Sequence, residues 1–393
     1  MFILQIVFWS LLALVIYSYV GYGIVLYLMV RLKRIFNPRP KVTYPQEWPT
    51  VTLLIASYNE LDFLPQKVKN CLELTYQTGK LRILFVTDGS SDGSETFLAS
   101  QNGIEVLHQG KRAGKIMAMN RGMEHVNSEI VVFTDANTLL NKEAIQEIVK
   151  HFVASEKVGC VAGAKRILLS EAETASGAGE GAYWKYESAL KKWDSELNTV
   201  VGAAGELFSI RRSLFKPVEK DTLLDDFMIS MRIAQSGYRV VYEPAAMAFE
   251  KPTADVKEEM KRKVRICAGG IQSIIRLAPV LNIFQYGLLS FQYISHRVLR
   301  WSITPIAMAL LIPINLALVI ALPQNQSYFF LLIGQFLFYG AAMVGSILQE
   351  KKLKSKFLFI PYFFLMQNIS VFQGMARYYK GSQSVLWEKA KRA

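Results

Sequence analysis

Three acidic sites follow one another along this chain, and each stands at the end of an apolar run. Asp88 follows ILFVT, Asp135 follows IVVFT, and the pair Asp225–Asp226 follows TLL. A buried carboxylate is costly unless it binds something, and ligands of α/β sheets lie beyond the carboxyl ends of the strands. The repetition therefore predicts a catalytic cleft that binds a phosphate-rich donor through a metal ion.

The first two sites differ in the residues that follow the carboxylate. Asp88 precedes Gly-Ser-Ser-Asp-Gly, so it can accept hydrogen bonds from a base or ribose, although these residues also form tight turns. Asp135 and Asn137 lie two positions apart and would face one side of an extended segment. Their oxygens suit a hard divalent cation, and a helix N-cap is the alternative interpretation.

The third site is a pair of acidic residues at the start of a predicted helix. The adjacent negative charges of Asp225 and Asp226 predict a raised pKa for one carboxyl group, which suits a general base. Helix capping is the alternative. Arg262 and Arg265 follow, one helical turn apart, and their guanidinium groups would bind either a diphosphate or lipid headgroups.

These residues need elements that position them, and the sequence predicts strands that alternate with helices. Strands are predicted over 50–57, 81–87, 104–108, 129–134, 158–164 and 238–242, and helices over 62–74, 95–102, 115–126, 141–154, 183–193 and 226–236. Such alternation predicts an α/β domain with a mostly parallel sheet. It also places Asp88 and Asp135 at the carboxyl ends of two strands.

Long uncharged stretches bracket this domain. No charged residue occurs over 1–30, 301–349 or 357–376, and a membrane-spanning helix needs about 20 apolar residues. The first stretch holds one span, the second holds two that separate near 323–326, and the third can hold one. A cleaved signal peptide is the alternative for the first stretch, which is however too long and lacks a charged start.

Basic residues predict how these stretches are oriented. The end of the first span is crowded by Arg31, Lys33, Arg34, Arg39 and Lys41. The loop 349–356 is also basic, so both regions are predicted to be cytoplasmic. A full fourth span would carry the basic tail 377–393 outside, so 357–374 is predicted to be a span, a re-entrant segment or an interfacial helix.

The formal net charge of +13 first suggests nucleic acid as a partner, but its distribution favours a membrane. Much of it lies beside the predicted spans or over 257–276, an amphipathic stretch predicted to lie on the membrane surface. No helix-turn-helix, zinc-finger or RNA-binding pattern occurs, so no nucleic acid is expected. Cys71, Cys160 and Cys267 lack metal spacing and are predicted to be buried thiols in a reducing compartment.

In this order, the motifs resemble those of the membrane-bound family 2 glycosyltransferases, which include the cellulose, hyaluronan and poly-N-acetylglucosamine synthases. The resemblance covers residues 50–300 and the bracketing spans. The matching segments are ASYNE (56–60), VTDGSSDGS (86–94), GKIMAMNRG (114–122), FTDAN (133–137), LLDDF (223–227), SGYRVVYEPAA (236–246) and RKVRI (262–266).

The resemblance implies a GT-A fold, a nucleotide-diphosphate sugar donor, which is expected to be a UDP-sugar, a divalent cation (Mg²⁺ or Mn²⁺) and inversion at the anomeric carbon. Asp226 would be the base beside Asp225, Asp88 would contact the uridine, and Arg265 would steady the leaving diphosphate. Asp135 and Asn137 would hold the metal. The donor would be bound by Ser57, Asn59, Glu60, Asp88, Lys115, Asp135, Arg262 and Arg265, and the acceptor by Gly205 and Glu206.

Two positions depart from the family pattern. Asn137 stands where the family usually has a second aspartate, which bears on the metal assignment. Ile266 stands where the processive synthases have a tryptophan under the acceptor sugar, which bears on processivity. Trp184 or Trp193 would supply a stacking face instead, although aromatic residues at helical spacing more often belong to a core.

The predicted organisation is a transmembrane helix (1–30), a basic linker (31–49), a GT-A domain (50–250), amphipathic interface helices (251–300), a C-terminal transmembrane region (301–376) and a basic tail (377–393). The predicted function is inverting, metal-dependent sugar transfer to a growing polysaccharide or lipid-linked acceptor. The catalytic domain would lie on the cytoplasmic face of a multi-pass cell-membrane protein. Single-sugar transfer to a lipid carrier, nucleotidyl transfer and a non-catalytic transporter or scaffold are the alternatives.

Overall fold

The computed structural model describes residues 1–38, 42–168, 177–251, 256–350 and 356–384. The predicted basic residues Arg39 and Lys41, the loop residues 351–355 and the tail residues 385–393 lie outside these ranges. The described strands are β1 (Val51–Ser57), β2 (Leu81–Thr87), β3 (Glu105–Leu107), β4 (Ile130–Thr134), β5 (Thr138–Leu140), β6 (Val158–Ile167), β7 (Leu207–Arg211) and β8 (Arg239–Glu250).

These strands form one eight-stranded β-sheet, and helices cover both of its faces. The helices before the C-terminal apolar region are α1 (Phe2–Ile16), α2 (Tyr22–Phe36), α3 (Leu64–Leu72), α4 (Ser94–Ala99), α5 (Lys115–Glu124), α6 (Ala144–Ala154), α7 (Gly177–Leu197), α8 (Asp225–Gln235), α9 (Val256–Arg276), α10 (Ile283–Tyr286), α11 (Leu288–Tyr293) and α12 (Leu299–Trp301). The last three are α13 (Ile303–Ala321), α14 (Gln326–Glu350) and α15 (Lys356–Tyr379). Two π-helical turns connect consecutive helices: Tyr17–Gly21 lies between α1 and α2, and Ile294–Val298 lies between α11 and α12.

The sheet brings the first two acidic sites to one edge. Its order is β3-β2-β1-β4-β7-β6-β8-β5. β1 runs parallel to β2, with Ser57 opposite Thr87, and parallel to β4, with Leu54 opposite Phe133. Asp88 and Asp135 therefore emerge from the carboxyl ends of β2 and β4, the two parallel strands on either side of β1, and the sequence predicts these strand ends.

The second half of the sheet is mixed, which departs from the predicted mostly parallel arrangement. β7 lies antiparallel between β4 and β6, and β5 pairs antiparallel with β8. β8 is also much longer than the predicted strand at 238–242. The short strands β5 and β7, of three and five residues, were absent from the prediction.

Both faces of the sheet are buried, which explains why its strands are nearly continuous apolar runs. Adjacent residues of β1 belong to different hydrophobic cores. Leu54 packs with Met119 of α5 and Phe227 of α8, whereas Leu53 packs with Val68 of α3 and others of that face. The three cysteines are buried and form no disulfide, as predicted.

Within the described ranges, four helices are long and apolar enough to cross a membrane. They extend over Phe2–Phe36, Ile303–Ala321, Gln326–Gln349 and Phe357–Tyr379. The first continues well past its predicted end at about residue 29, and its basic end docks on the α/β domain, where Arg34 Nε lies 2.6 Å from Glu196 Oε1. The fourth is one helix that continues through Pro361.

The fourth apolar helix packs along α9, the amphipathic helix predicted to lie on a membrane surface. Ser370 donates a hydrogen bond to Met260 Sδ at 3.0 Å, and Lys263 Nζ lies 5.5 Å from the centre of the Phe363 ring. α15 therefore follows the edge of the α/β domain, close to the residues that carry the third acidic site.

Candidate active site

A cavity of about 1170 Å³ opens between the carboxyl edge of the sheet and the apolar helices. Its walls bring together residues that are far apart in the sequence. Of the predicted site residues, those that line it are Lys115, Asp135, Gly205, Glu206, Asp225, Asp226, Arg262 and Arg265. A volume of this order accommodates a ligand of nucleotide-sugar size.

Lys115 lies among the carboxylates of the second and third acidic sites. Its Nζ donates to Asp135 Oδ1 at 2.7 Å and lies 3.8 Å from Asp225 Oδ2. A Cβ atom placed on Gly205 would lie 3.3 Å from both Lys115 Nζ and Asp226 Oδ2. Although burial opposes it, these carboxylates raise the pKa of Lys115, which is therefore a cation.

Asp226 has the protonation behaviour of a general base. Its burial and the negative charge of the adjacent Asp225 raise its pKa to about 7, against the lowering influence of Lys115. Its Oδ1 accepts a hydrogen bond from the Phe227 backbone N–H at 2.8 Å, which fixes the carboxylate at the first turn of α8. A base is most effective when its pKa lies near the working pH.

Glu206 belongs to an ion-pair network beside this group. Its Oε1 lies 2.5 Å from Lys165 Nζ and 3.3 Å from Arg262 Nη2, and Lys165 also pairs with Glu250. Burial opposes ionisation, but Lys165 and Arg262 hold the pKa of Glu206 well below its usual range. The turn that carries Glu206 is tied to β4, because Thr134 Oγ1 donates to its carbonyl oxygen at 2.8 Å.

The residues predicted to hold a metal lie in the turn between β4 and β5, not at a helix N-cap. Asp135 lines the cavity, whereas the Asn137 side chain is 9% exposed and does not. Asn137 Oδ1 is buried and has no hydrogen-bond partner among the described residues. These oxygens fit a hard cation that takes one or two protein ligands and completes its shell with substrate phosphates. Within the described ranges, no three His, Cys, Asp or Glu residues form a metal-binding cluster.

Asp88 lies outside the main cavity and fixes the loop that precedes Lys115. It is 3% exposed, and its two carboxylate oxygens accept the backbone N–H groups of Ala113, at 2.9 Å, and Gly114, at 2.6 Å. The adjacent Gly89 has a φ of 67°, and a Cβ there would lie 2.5 Å from Arg112 N. This close contact explains why glycine follows Asp88.

Ser57, Asn59 and Glu60 lie beside Asp88 and likewise do not line the main cavity. The backbone N–H of Asn59 donates to Ser90 Oγ at 3.1 Å, and its side-chain oxygen accepts from the Ser91 N–H at 2.8 Å. Ser57 Oγ is buried without a hydrogen-bond partner among the described residues. The structure thus separates the predicted donor-binding residues into a group that lines the cavity and a group around Asp88.

Replacing Asp88 by asparagine is expected to destabilise the loop that carries Lys115. The amide can accept only one of the two backbone hydrogen bonds, and a hydrogen bond to a charged group contributes about 1.5–3 kcal/mol. Thermal unfolding should therefore show a lower midpoint, and the KM for the donor should rise. Asp62→Asn, at an exposed position, is the control. An unchanged midpoint with a higher KM would instead indicate that Asp88 acts mainly by touching the donor.

The aromatic residue at the cavity differs from those that the sequence suggested. Trp193 packs against Tyr27 of α2, with 5.3 Å between ring centres, so it belongs to the contact with the first apolar helix. The Trp184 side chain lies outside the described residues. Trp301 lines the cavity instead and packs against Phe227 at 5.2 Å, and Ile266 also lines it.

Several charged cavity residues had no clear signal in the sequence. They are Lys165, Glu187, Lys191, Glu250, Arg297 and Arg300. Arg297 and Arg300 precede a long uncharged stretch, which is the one feature that distinguishes them from surface charges. Lys165 and Glu250 lie on strands and are brought together by the parallel pairing of β6 with β8.

Comparisons with known proteins show which proteins this chain is similar to. Residues 52–218 match the sequence profile described as "Glycosyl transferase family 2". A poly-beta-1,6-N-acetyl-D-glucosamine synthase of Staphylococcus aureus is 26% identical over 272 residues, which cover 66% of this chain and 64% of the relative. The enzyme of the same name from Staphylococcus epidermidis is 23% identical over 242 residues, or 59% of this chain and 57% of that protein. The chain thus spans less than two thirds of the length of these relatives.

A solved structure aligns with this chain along nearly its whole length. A mannosyltransferase from Pyrobaculum calidifontis, solved in complex with GDP-Man and Mn2+, superposes with a TM-score of 0.70. The alignment covers 96% of this chain and 100% of that one at 21% identity. The α/β sheet with its acidic edge therefore has the GT-A fold. In sequence, residues 52–218 are similar to the family 2 glycosyltransferases.

Proposed function

We propose that this protein transfers a sugar, with inversion, from a nucleotide-diphosphate donor to a polysaccharide or lipid-linked acceptor at a membrane. The observation that carries this proposal is the convergence of Asp226, Asp135 and Lys115 in one cavity. The pKa of Asp226 is raised to about 7 there, and Lys115 provides positive charge beside it. A base and a diphosphate-binding cation are the two parts that this reaction needs.

The proposed step uses Asp226 to take the proton from an acceptor hydroxyl. The hydroxyl oxygen attacks the anomeric carbon while the bond from that carbon to the diphosphate oxygen breaks, which inverts the configuration. Lys115 and Arg265 line the cavity and neutralise the charge that develops on the leaving nucleoside diphosphate. Glu206 and Gly205 border the same space and would contact the acceptor.

A divalent cation, Mg²⁺ or Mn²⁺, would be held by Asp135, with the Asn137 side-chain oxygen as a second ligand. When bound, it would help to neutralise the donor diphosphate. Two observations support its presence, namely the buried Asn137 Oδ1 without a partner among the described residues and the Mn2+ in the archaeal mannosyltransferase. Measuring sugar transfer after the cation has been removed with a chelator tests this assignment.

The donor base is proposed to be uridine, with Asp88, Ser57, Asn59 and Glu60 on the nucleotide side. The proposal comes from the motif resemblance, and the mannosyltransferase was solved in complex with GDP-Man, so both bases belong in the test. A screen of UDP- and GDP-sugars for nucleoside diphosphate release, with Mg²⁺ or Mn²⁺, tests the reaction. Release of pyrophosphate would instead indicate nucleotidyl transfer, and no release with any donor would favour a non-catalytic scaffold.

The protein is proposed to be a multi-pass cell-membrane protein with its catalytic domain in the cytoplasm. Four apolar helices and the basic residues beside the first of them support this location. The path of α15 favours the interfacial alternative for 357–374, because residues from Ile360 to Ser384 border the same cavity as Lys115. An interfacial α15 would also keep the basic tail on the cytoplasmic side.

Transfer of a single sugar to a lipid carrier is a second candidate with its own supporting observation. The cavity extends from Asp226 to Tyr19 of the first apolar helix and to Phe364 and Asn368 of α15. An acceptor with an apolar tail can therefore reach the base from the membrane side. Chromatography of products from a radiolabelled donor distinguishes long polymer from a one-sugar lipid.

The transfer rate is expected to fall as the pH drops through about 7. Protonation of Asp226 removes the base, so kcat should decrease about tenfold per pH unit on the acid side. Asp225→Asn removes a negative charge that raises the pKa of Asp226, so the acid limb should move to lower pH. Rate profiles of both proteins over this range check the prediction, and an unmoved limb in the variant would assign it to another group.

A further inference from the structure

A second group of positive charges lines the cavity on the side of the apolar helices, and the proposed reaction step does not use it. We call Lys191, Arg297 and Arg300 the membrane-side cations. All three line the cavity, Lys191 from α7 and the arginines from the segment just before the second apolar helix. Charged groups in such a place are expensive unless they are paired or bind a ligand.

Arg297 and Arg300 both form ion pairs with the carboxylate of Glu187. Arg297 Nη2 lies 2.8 Å from Glu187 Oε1, and Arg300 Nη1 lies 3.5 Å from Glu187 Oε2. Arg297 and the nearby His296 hold the pKa of Glu187 well below its usual range despite burial, so it supplies a single negative charge. His296 Nδ1 is occupied by its contact with Asp194 Oδ2, at 2.6 Å.

Positive charge exceeds negative charge among Lys191, Arg297, Arg300 and Glu187. Arg300 Nη2 is buried and has no hydrogen-bond partner among the described residues. No described carboxylate lies within 4 Å of Lys191 Nζ, and burial lowers the pKa of this lysine. Arg297 and Arg300 therefore share one close carboxylate and Lys191 has none among the described residues, and both Lys191 and Arg300 keep donors that a bound anion can accept.

Irregular helix geometry holds Arg300 in place. The π-helical turns Tyr17–Gly21 and Ile294–Val298 face each other, and Tyr17 and Ser295 share a hydrogen bond of 2.8 Å. Arg300 Nε donates to the Ser18 carbonyl oxygen at 2.9 Å. Isolated π-helical turns are rare and are found frequently at functional sites.

The membrane-side cations lie between the proposed base and an apolar wall. Lys191 interacts electrostatically with Glu187 and Arg297 and also with Glu206 and Asp226. The wall consists of Phe363 and Phe364 of α15. A ligand that fills this end of the cavity needs an anionic head beside the cations and an apolar tail along the helices.

We propose that the membrane-side cations bind the phosphate of a lipid-linked acceptor sugar, which is carried by an isoprenoid phosphate or diphosphate whose chain lies along α15 and the first apolar helix. This inference rests on the proposed sugar transfer and specifies its acceptor. The phosphate would anchor the acceptor while a hydroxyl of the sugar that it carries points toward Asp226, which takes the proton of that hydroxyl. The competing explanation is that the arginines only neutralise Glu187, in which case Lys191 has no ligand to bind.

The test compares two neighbouring lysines of α7 in the full-length protein in phosphatidylcholine nanodiscs. Lys191→Gln removes the cavity cation, whereas Lys192→Gln removes an exposed charge one position away. Binding of a long-chain polyprenyl phosphate is measured for both variants, with uncharged polyprenol and phosphatidylglycerol as comparison lipids. Polyprenyl phosphate should bind Lys191→Gln about tenfold more weakly than wild type, since a charge-assisted hydrogen bond is lost. Lys192→Gln should bind like wild type.

Three results would overturn the inference. They are equal binding of polyprenyl phosphate by Lys191→Gln and wild type, binding no tighter than that of polyprenol, and phosphatidylglycerol binding of equal strength with the same dependence on Lys191. The last would assign the site to bulk membrane lipid. Arg300→Gln is the second variant, and it should show the same loss if it folds. Lys191→Gln breaks no described ion pair, so its thermal unfolding should match wild type.

Nucleoside diphosphate release without added acceptor separates this inference from the proposed function. Donor hydrolysis with no specific binding of polyprenyl phosphate would overturn the acceptor assignment and leave sugar transfer standing. Lys191-dependent binding of polyprenyl phosphate without turnover of any donor would support the phosphate site and overturn the proposed transfer reaction.

Discussion

Replacing Asp226 by asparagine is expected to reduce sugar transfer by a factor of about 10²–10⁴, the usual contribution of a general base. Asparagine keeps the size of the side chain and can still accept the Phe227 backbone hydrogen bond, but it cannot take a proton. Because Asp226 is buried beside Asp225, removing its charge also relieves repulsion. The variant should therefore fold at least as well as wild type and bind the donor.

The measurement is kcat for transfer to acceptor, with donor binding followed separately. Asp62→Asn is the matched control, because it makes the same chemical change at an exposed position of the same domain. Wild-type kcat in Asp226→Asn would contradict the assignment of the base. Asp225 would then be the first candidate, since it lines the same cavity and lies 3.8 Å from Lys115 Nζ.

Replacing Lys115 by methionine should give the second largest effect, on both stability and donor binding. Lys115 is close to three carboxylates, and its removal leaves Asp135 and Asp225 without this cation. Removing one partner of a buried ion pair costs about 3–5 kcal/mol, and the lower end applies because the Lys115 side chain is 22% exposed. The apparent pKa of Asp226 should rise as well, because Lys115 lowers it.

Thermal unfolding and the KM for the donor measure these effects. Lys111→Met is the control, since Lys111 is an exposed lysine of the preceding loop. Mg²⁺ or Mn²⁺ should recover part of the stability of Lys115→Met if it binds at Asp135, because it replaces the lost positive charge. Equal stability of Lys115→Met and wild type would show that the carboxylates are protonated or solvated without the lysine.

The sequence predicted most accurately the elements whose signals are local. β2 was predicted at 81–87, where the structure has it, and the ends of β1 and β4 were predicted within one residue. These strands are buried on both faces, so their continuous apolar runs are distinct, and a carboxylate directly after such a run is visible in one dimension. The apolar helices were predicted for the same reason, since length and lack of charge suffice.

The sequence did not predict which residues far apart in the chain lie next to each other. β7 follows a glycine-rich turn, where Gly202 has a φ of 83° and approaches Phe227 so closely that a Cβ would lie 2.1 Å from its ring. The strand then returns antiparallel to β4, which places Glu206 beside Thr134. No local pattern encodes this return, because the partner strand is more than 70 residues away.

Sequence alone thus determined the class of fold, the resemblance to a family and the order of the acidic residues, because each depends on short runs with strong periodicity or composition. The tertiary structure decided which of these residues share a cavity. In the structure, Asp226 and Asp135 lie around Lys115, and Asp88 supports a loop outside the cavity. Lys191 and Arg300, which the sequence did not indicate, also line the cavity. The physical reason is that charge pairing and burial depend on distances between residues far apart in the chain, and only the packed sheet and helices fix those distances.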